Sequence, residues 1–143
     1  MSAAVWCHAT SAAALFAIDP VGTGGICVRA GAGPVRDRWL EALIGLLPAS
    51  ARVRKLPPGI SDGRLLGGID LTATLESGKP KVERGLLAEI DGGVLLVPMA
   101  ERLPPSRVAH VCSALDSREI IVERDGLSLR LASSFRRRMA QIS

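Results

Sequence analysis

The chain has 143 residues, of which 48% are hydrophobic and 22% charged, and its formal net charge is +4. This composition is typical of one globular domain over residues 1–143 and excludes a disordered or fibrous protein. The 18 lysines and arginines form no basic stripe with interleaved aromatic side chains, so nucleic-acid binding is not expected, and no apolar run approaches the roughly 20 residues that span a bilayer.

The first predicted elements are a helix and a short strand. The stretch "SAAALFAIDP" is rich in helix-forming residues and should end before Pro20, which disfavours helical backbone at Asp19. Residues 1–18 are uncharged but lack the basic start of an export signal, so we expect a soluble cytoplasmic protein. The glycines at 22, 24 and 25 predict a turn, and "ICVRA" at 26–30 predicts a short buried strand after it.

The middle of the chain predicts a helix, a strand and a second, shorter helix. Apolar side chains recur on one face over 37–47, and Pro48 follows, so a helix is expected there. A second strand is predicted within "ARVRK" at 51–55. A short helix is predicted between Asp70, which suits an N-cap, and Gly78, which suits the C-terminal end of a helix.

The second half continues the alternation of helices and strands. A short helix is predicted over 83–93, and "VLLVP" at 94–98 predicts a buried strand, parallel to the first. Alternating apolar residues around Asp125-Gly126 predict a β-hairpin over 119–131. A helix that starts at Pro104 and Pro105 should bury one stripe of side chains, namely Val108, Val111, Cys112 and Leu115. This order of elements predicts an α/β fold, a parallel sheet flanked by helices, with a ligand crevice at the carboxyl ends of its strands.

The cysteines give no sign of a metal or redox site. Cys7, Cys27 and Cys112 are widely spaced and match neither a zinc-ligand pattern nor C-x-x-C. We therefore expect buried free thiols and no metal site.

The candidate binding site is "AGAGPVRD" at 30–37, a glycine-rich turn between the first strand and its helix. In the P-loop pattern G-x-x-x-x-G-K-[ST], backbone N–H groups and the lysine hold phosphates, and the hydroxyl binds Mg²⁺. Here Ala30 and Val35 stand in place of the two glycines. An arginine and an aspartate then replace the lysine and the hydroxyl residue. The candidate cofactor-binding residues are Gly31, Gly33, Arg36 and Asp37.

These replacements weaken the contacts that a triphosphate needs. Val35 cannot readily adopt positive φ, and Pro34 has no N–H to donate. The carboxylate of Asp37 repels phosphate unless a cation lies between them. From the residues alone, a structural turn is favoured, while weak nucleotide binding and a competent hydrolytic loop stay open.

The end of the strand predicted at 94–98 also lacks the residues that hydrolysis requires. An active P-loop ATPase places Asp and then Glu there, to bind Mg²⁺ and to activate water. This chain has Pro98 and Met99 at those positions. The next carboxylate, Glu101, lies two residues beyond the position of the catalytic glutamate. The sequence therefore predicts that the chain has no catalytic residues for hydrolysis.

Three long segments make the chain resemble the N-terminal AAA+ module of the D subunits of magnesium chelatase. They are "DPVGTGGICVRAGAGPVRDRWL" at 19–40, residues 56–104 from "LPPGISDG" to "PMAERLP", and "ALDSREIIVERDGLSLRLASSF" at 114–135. The related I subunit has an intact P-loop and a strand that ends in Asp-Glu, so the replacements described above favour the D subunit. The resemblance implies an AAA+ fold with hairpin insertions over 70–91 and 119–131.

The resemblance also implies a function. D subunits are platforms that do not themselves hydrolyse ATP, and they assemble with the ATPase I subunit into stacked or paired hexameric rings. With the porphyrin-binding H subunit, these rings support ATP-driven insertion of Mg²⁺, the substrate metal, into protoporphyrin IX for chlorophyll and bacteriochlorophyll. ATP is then the candidate cofactor, and the bacterial cytoplasm or the chloroplast stroma is the expected compartment.

The end of the chain departs from the family. After Phe135 the family continues into the sensor 1 strand, the lid and an integrin-like domain, whereas this chain has "RRRMAQIS". We therefore expect a truncated domain, which is either a fragment or the product of a changed reading frame, and a central sheet that lacks a strand. Two alternatives stay open, a stand-alone AAA+ ATPase of the MoxR type and an inactive interaction module.

Overall fold

The computed structural model describes the backbone of residues 2–117, 119–124, 127–132 and 139–142, and the side chains of residues 2–116. Its helices are α1 (Ala3–Ile18), α2 (Pro20–Thr23), α3 (Pro34–Leu46), α4 (Asp62–Leu66), α5 (Leu71–Ser77), α6 (Leu86–Glu89) and α7 (Pro105–Ser117), with a 3₁₀ turn at Ala100–Arg102. Its strands are β1 (Ile26–Val28), β2 (Val53–Lys55), β3 (Gly67–Ile69), β4 (Val82–Arg84), β5 (Val94–Pro98), β6 (Glu119–Arg124), β7 (Leu127–Ala132) and β8 (Met139–Ile142). None of the helices in the described part of the chain is both long and apolar enough to cross a membrane.

The chain divides into two compact units. The first comprises Met1–Leu56, Gly92–Arg102 and Arg136–Ser143, and the second comprises Pro57–Asp91 and Leu103–Phe135. The first unit contains the candidate binding loop, and the second contains both predicted insertions.

The first unit is built on a four-stranded parallel sheet with the order β1-β8-β5-β2. Val28 pairs with Ile142, and Ile142 pairs in turn with Pro98. The carboxyl ends of β1, β8 and β5 therefore lie in line at one edge of the sheet. The predicted parallel sheet is confirmed.

The segment after Phe135, where the chain departs from the family, contributes a strand to this sheet, and the expectation of a missing strand stays a prediction. Residues 139–142 form β8, which pairs with β1 on one side and with β5 on the other. A strand of only four residues is stable at this position because a central strand forms backbone hydrogen bonds along both of its edges.

Helices α1 and α3 pack together on the sheet and form the core of the first unit. Asp19-Pro20 ends α1 as predicted, and the Asp19 carboxylate accepts a hydrogen bond from the Gly22 N–H at 2.8 Å to begin α2. The buried cluster joins both helices to β5 and consists of Ala13, Phe16, Trp39, Leu43, Leu47 and Val94. Within it, the Trp39 indole Nε1–H donates to the Ala9 carbonyl oxygen at 2.8 Å, which ties α3 to α1.

Short helices and two antiparallel strand pairs form the second unit. Helix α5 has the predicted caps, since the Asp70 carboxylate accepts from the Ala73 N–H at 3.0 Å and Gly78 adopts the left-handed conformation at φ 64°. The helix predicted over 83–93 is only partly right, because Glu83 and Arg84 belong to β4 and the helix is confined to α6. Antiparallel pairing of β4 with β3 holds these two residues in the extended conformation.

Helix α7 begins at Pro105, as predicted, but buries a different stripe. Val111 and Leu115 are buried as expected, whereas Val108 is 40% exposed and Cys112 is also exposed. Ala114 is buried, so the buried face is rotated toward it. The expectation of buried thiols is wrong for Cys7 and Cys27 as well, because Cys7 lies on an exposed part of α1 and Cys27 on a strand that has one neighbour among the described residues.

The predicted hairpin near the end of the second unit is confirmed in the backbone. Strands β6 and β7 pair antiparallel from Glu119 with Ala132 to Arg124 with Leu127. The turn residues Asp125 and Gly126 lie outside the described residues.

Two glycines meet where the β3–α5–β4 segment joins the rest of the second unit. Gly67 pairs with Arg84, and Gly85 follows directly. A Cβ added to Gly85 would overlap the backbone nitrogen of Gly67 and lie 2.6 Å from the Leu65 carbonyl oxygen. Both ends of the segment can therefore approach this closely only because neither glycine has a side chain.

Candidate functional site

The candidate binding loop leaves β1 at Val28 and enters α3 at Pro34. The helix begins three residues earlier than the predicted start at residue 37, because the fixed φ of proline suits the first helical position. Gly33 is the N-cap and has φ 153°. Arg36 and Asp37 therefore lie in the first turn of α3, and only Gly31 and Gly33 of the four candidate residues belong to the loop.

Arg36 and Asp37 form an ion pair with each other. The Arg36 Nε and Nη2 atoms donate to the same Asp37 carboxylate oxygen, Oδ1, at 3.0 and 2.8 Å. The two side chains are 30% and 55% exposed, so solvent screens the pair and its contribution to stability is under about 1 kcal/mol. In consequence, the cation that stands in place of the P-loop lysine is neutralised by its own neighbour.

The N-terminus of α3 offers backbone N–H groups but no side-chain cap. Gly33 makes no side-chain cap hydrogen bond, and the first intrahelical bond runs from the Asp37 N–H to the Gly33 carbonyl at 3.1 Å. The N–H groups of Val35 and Arg36 precede that bond and lie at the positive end of the helix dipole. This arrangement can attract an anion, while Asp37 opposes it.

The end of β5 lies at the same edge of the sheet. Because neighbouring strands are about 4.8 Å apart, β1 and β5 on either side of β8 are separated by roughly 10 Å. Strand β5 ends at Pro98, Met99 follows, and Glu101 lies exposed in the 3₁₀ turn. The end of this strand therefore presents no carboxylate where an ATPase would bind Mg²⁺. Within the described residues, moreover, no three His, Cys, Asp or Glu side chains come together to hold a metal ion.

Met99 has an unusual backbone conformation, with φ 49° and a side chain that is 43% exposed. Left-handed backbone at a residue with a Cβ is strained. We expect Met99→Gly to raise the free energy of unfolding by about 1 kcal/mol, measured by urea denaturation. Met99→Ala is the matched control and should give no such gain, since it shortens the side chain but keeps the Cβ. An equal gain in both variants would show that the backbone at Met99 is not strained.

A cleft of about 280 Å³ lies between α1, β1 and the first turn of α3. Helix α1 contributes Val5, Trp6 and Ala9, and Trp39 of α3 completes an apolar wall. All three residues of β1 also line the cleft. The sequence did not predict it, because it depends on how α1 packs beside β1, which no local pattern encodes.

Comparison with known proteins found no matching family model. The chain is similar to magnesium-chelatase 60 kDa subunits, with 45% identity over 112 residues to that of Cereibacter sphaeroides and 41% over 109 residues to that of Rhodobacter capsulatus. These alignments cover 78% and 76% of this chain but only 19% of each relative. The chain thus spans about a fifth of the length of these relatives.

A solved structure gives an independent likeness. The model of the complex between subunits BchI and BchD of magnesium chelatase, based on a cryo-EM reconstruction, contains a chain that matches with a TM-score of 0.69 at 25% identity. The match covers 94% of this chain and 50% of that one.

Proposed function

The chain belongs to the family of magnesium-chelatase D subunits, and from this membership we propose that it is part of a non-hydrolysing AAA+ platform for magnesium insertion into protoporphyrin IX. The identity of 45% to a 60 kDa subunit is the observation that carries the proposal. The predicted AAA+ architecture, a parallel α/β sheet with flanking helices, is confirmed. In this role the chain provides structure and assembly in (bacterio)chlorophyll biosynthesis, and a partner provides the hydrolysis.

The state of the nucleotide-binding elements supports a role without hydrolysis. Arg36 is paired with Asp37, and β5 ends in Pro98 and Met99. Hydrolysis needs a cation on the phosphates, a carboxylate for Mg²⁺ and a base for water. We propose that ATP, if it binds at Gly31 and Gly33, is sensed and not cleaved by this chain.

The proposed partners are the I subunit, which supplies ATP hydrolysis within a hexameric ring, and the porphyrin-binding H subunit. The matched complex of BchI with BchD supports the first of these. The assembly would work in the bacterial cytoplasm or in the chloroplast stroma, with Mg²⁺ as the metal that is inserted.

A chimera tests the chelatase role. Residues 16–135 of this chain replace the aligned segment of the C. sphaeroides 60 kDa subunit, and magnesium insertion is followed with the I and H subunits, ATP, Mg²⁺ and porphyrin. We expect the chimera to support insertion. Failure of a chimera that is folded and still binds the I subunit would overturn the proposal.

The rival function, a stand-alone ATPase of the MoxR type, requires turnover by the isolated chain. We expect no phosphate release above background in the presence of Mg²⁺ and ATP, because the end of β5 carries no carboxylate. Measurable turnover would favour the rival.

Removing the charge of Asp37 should strengthen anion binding at the start of α3. Two unit charges about 4 Å apart in water interact by about 1 kcal/mol, so Asp37→Asn should raise affinity for pyrophosphate by about fivefold. The measurement is calorimetry without divalent cations, since a cation between the carboxylate and the phosphate would mask the repulsion. Arg36→Ala should bind no better than the wild type.

Glu41→Gln is the matched control for this charge. Glu41 is exposed on the same helix, about 6 Å farther along its axis. Its removal should change the affinity less than twofold, because Glu41 would lie about 10 Å from the anion, which is a full Debye length at about 0.1 M salt. Equal gains in both variants would mean that net charge, and not the position of Asp37, limits anion binding.

A further inference from the structure

Two arginines border the candidate binding loop. Arg29 directly follows β1 and precedes the loop, and Arg36 lies in the first turn of α3. Both line the cleft described above, together with Ala30 of the loop itself, and the lining contains no acidic residue. The two arginines therefore bring positive charge to the same space, at the carboxyl end of a parallel strand, where α/β sheets hold their ligands.

The two arginines differ in their partners. Arg36 is held by Asp37, since two of its nitrogen atoms donate to one carboxylate oxygen at 3.0 and 2.8 Å. Arg29 is exposed, and within the described part of the chain it forms neither a hydrogen bond nor an ion pair. The charge of Arg29 is therefore uncompensated, whereas Arg36 and Asp37 together have no net charge.

A phosphate that approaches the loop meets these two cations on unequal terms. Binding through Arg36 breaks its ion pair and leaves the carboxylate of Asp37 to repel the anion. Arg29 can bind without breaking a hydrogen bond or ion pair of the described residues, and its planar guanidinium can donate two parallel hydrogen bonds to phosphate. The P-loop pattern assigns the phosphate cation to position 36, but the observed pairing favours position 29.

We propose that Arg29, and not Arg36, is the cation that holds the diphosphate group of a nucleotide at this loop. The backbone N–H groups at the start of α3 bind the same group, and the pair of Arg36 with Asp37 stays closed beside it. This inference rests on the proposed binding of ATP at Gly31 and Gly33. It requires neither hydrolysis nor magnesium insertion, so it can fail while the platform role stands.

Binding of pyrophosphate to the whole chain, measured by calorimetry without divalent cations, tests the role of Arg29. We expect Arg29→Gln to weaken binding about fivefold, which is the effect in water of one unit charge about 4 Å away. Arg29→Lys should stay within twofold of the wild type because it keeps the charge. An unchanged affinity in Arg29→Gln would overturn the proposal, and so would a wild type that binds no pyrophosphate.

Arg54→Gln is the matched control, since it changes the net charge by the same amount. Arg54 is exposed on β2, three strands away from β1 and thus roughly 14 Å across the sheet. This distance exceeds the Debye length of about 10 Å at about 0.1 M salt, so the affinity should change less than twofold. Equal losses in Arg54→Gln and Arg29→Gln would show that only the net charge matters, which would overturn the proposal.

A double variant tests the competing cation. Arg36→Gln combined with Asp37→Asn removes both members of the ion pair and keeps the net charge of the chain. We expect this variant to bind pyrophosphate within twofold of the wild type, because the closed pair contributes no net charge to the site. A loss as large as that of Arg29→Gln would show that Arg36 holds the phosphate, and so contradict the proposal.

Adenine nucleotides separate a nucleotide from free pyrophosphate as the ligand. ADP contains the diphosphate group, whereas AMP lacks it. We expect Arg29→Gln to weaken the binding of ADP by the same factor as that of pyrophosphate. Loss of pyrophosphate binding with unchanged ADP binding would mean that Arg29 serves the free anion only, and an equal loss for AMP would place Arg29 beside another part of the nucleotide. Either result would overturn the proposal.

Discussion

Replacing Trp39 with alanine is expected to lower the free energy of unfolding by about 4 kcal/mol. Trp39 is only 4% exposed and lies in the buried cluster that joins α1, α3 and β5. Its removal leaves a cavity between the helices and also removes the indole hydrogen bond to the Ala9 carbonyl. We expect α1 to detach from the sheet at lower urea concentrations, measured by far-ultraviolet circular dichroism.

Trp39→Phe separates packing from hydrogen bonding. Phenylalanine keeps most of the buried ring but has no N–H, so this variant should lose about 1–2 kcal/mol. Trp6→Ala, which removes the partly exposed tryptophan of the cleft, should cost less than Trp39→Ala. A loss in Trp39→Phe as large as that in Trp39→Ala would show that the hydrogen bond, and not the packing, holds α1 in place.

Gly85→Ala is expected to destabilise the second unit by about 3 kcal/mol, by overpacking. Gly85 has φ −83° and ψ 172°, which alanine adopts without strain, so the effect is purely steric. The atoms that a Cβ would overlap belong to the backbone of Leu65, Leu66 and Gly67, which cannot move aside by a change of rotamer. Urea denaturation of the variant measures the loss.

Gly68→Ala is the matched control for Gly85→Ala. Gly68 lies in the paired strand, and a Cβ added to it meets nothing within 4 Å. This variant should be neutral or more stable by about 0.5 kcal/mol, because alanine restricts the unfolded chain. A loss of similar size in both variants would mean that the strand pair resists any added side chain and that the contact between Gly67 and Gly85 is not special.

The features that the sequence predicted correctly are those that local chemistry determines. Asp70 and Gly78 mark the ends of α5 because an N-cap carboxylate and a left-handed glycine act within one turn. The pairing of β6 with β7 follows from alternation around a two-residue turn. The parallel strand β5 follows from a continuous apolar run of the kind that is buried on both faces of a sheet.

The features that the sequence did not predict depend on distant parts of the chain. Residues 139–142 have no distinctive pattern and become β8 because β1 and β5 leave a gap of one strand between them. At the candidate site, the replacement of the P-loop residues was apparent from the sequence. The pairing of Arg36 with Asp37, both on the first turn of α3, became apparent only in the structure.

The central position of β8 has a consequence for the order in which the chain folds. Among the described strands β1 pairs only with β8, which lies more than 100 residues away along the chain. Closing so long a loop is slow, because its entropic cost precedes any favourable contact. During synthesis, β2 and β5 can pair as soon as both have been made, whereas β1 waits for residues 139–142. The edge of β1 that binds β8 in the folded protein therefore stays unpaired while the chain is being translated, and a chaperone that covers it would limit aggregation.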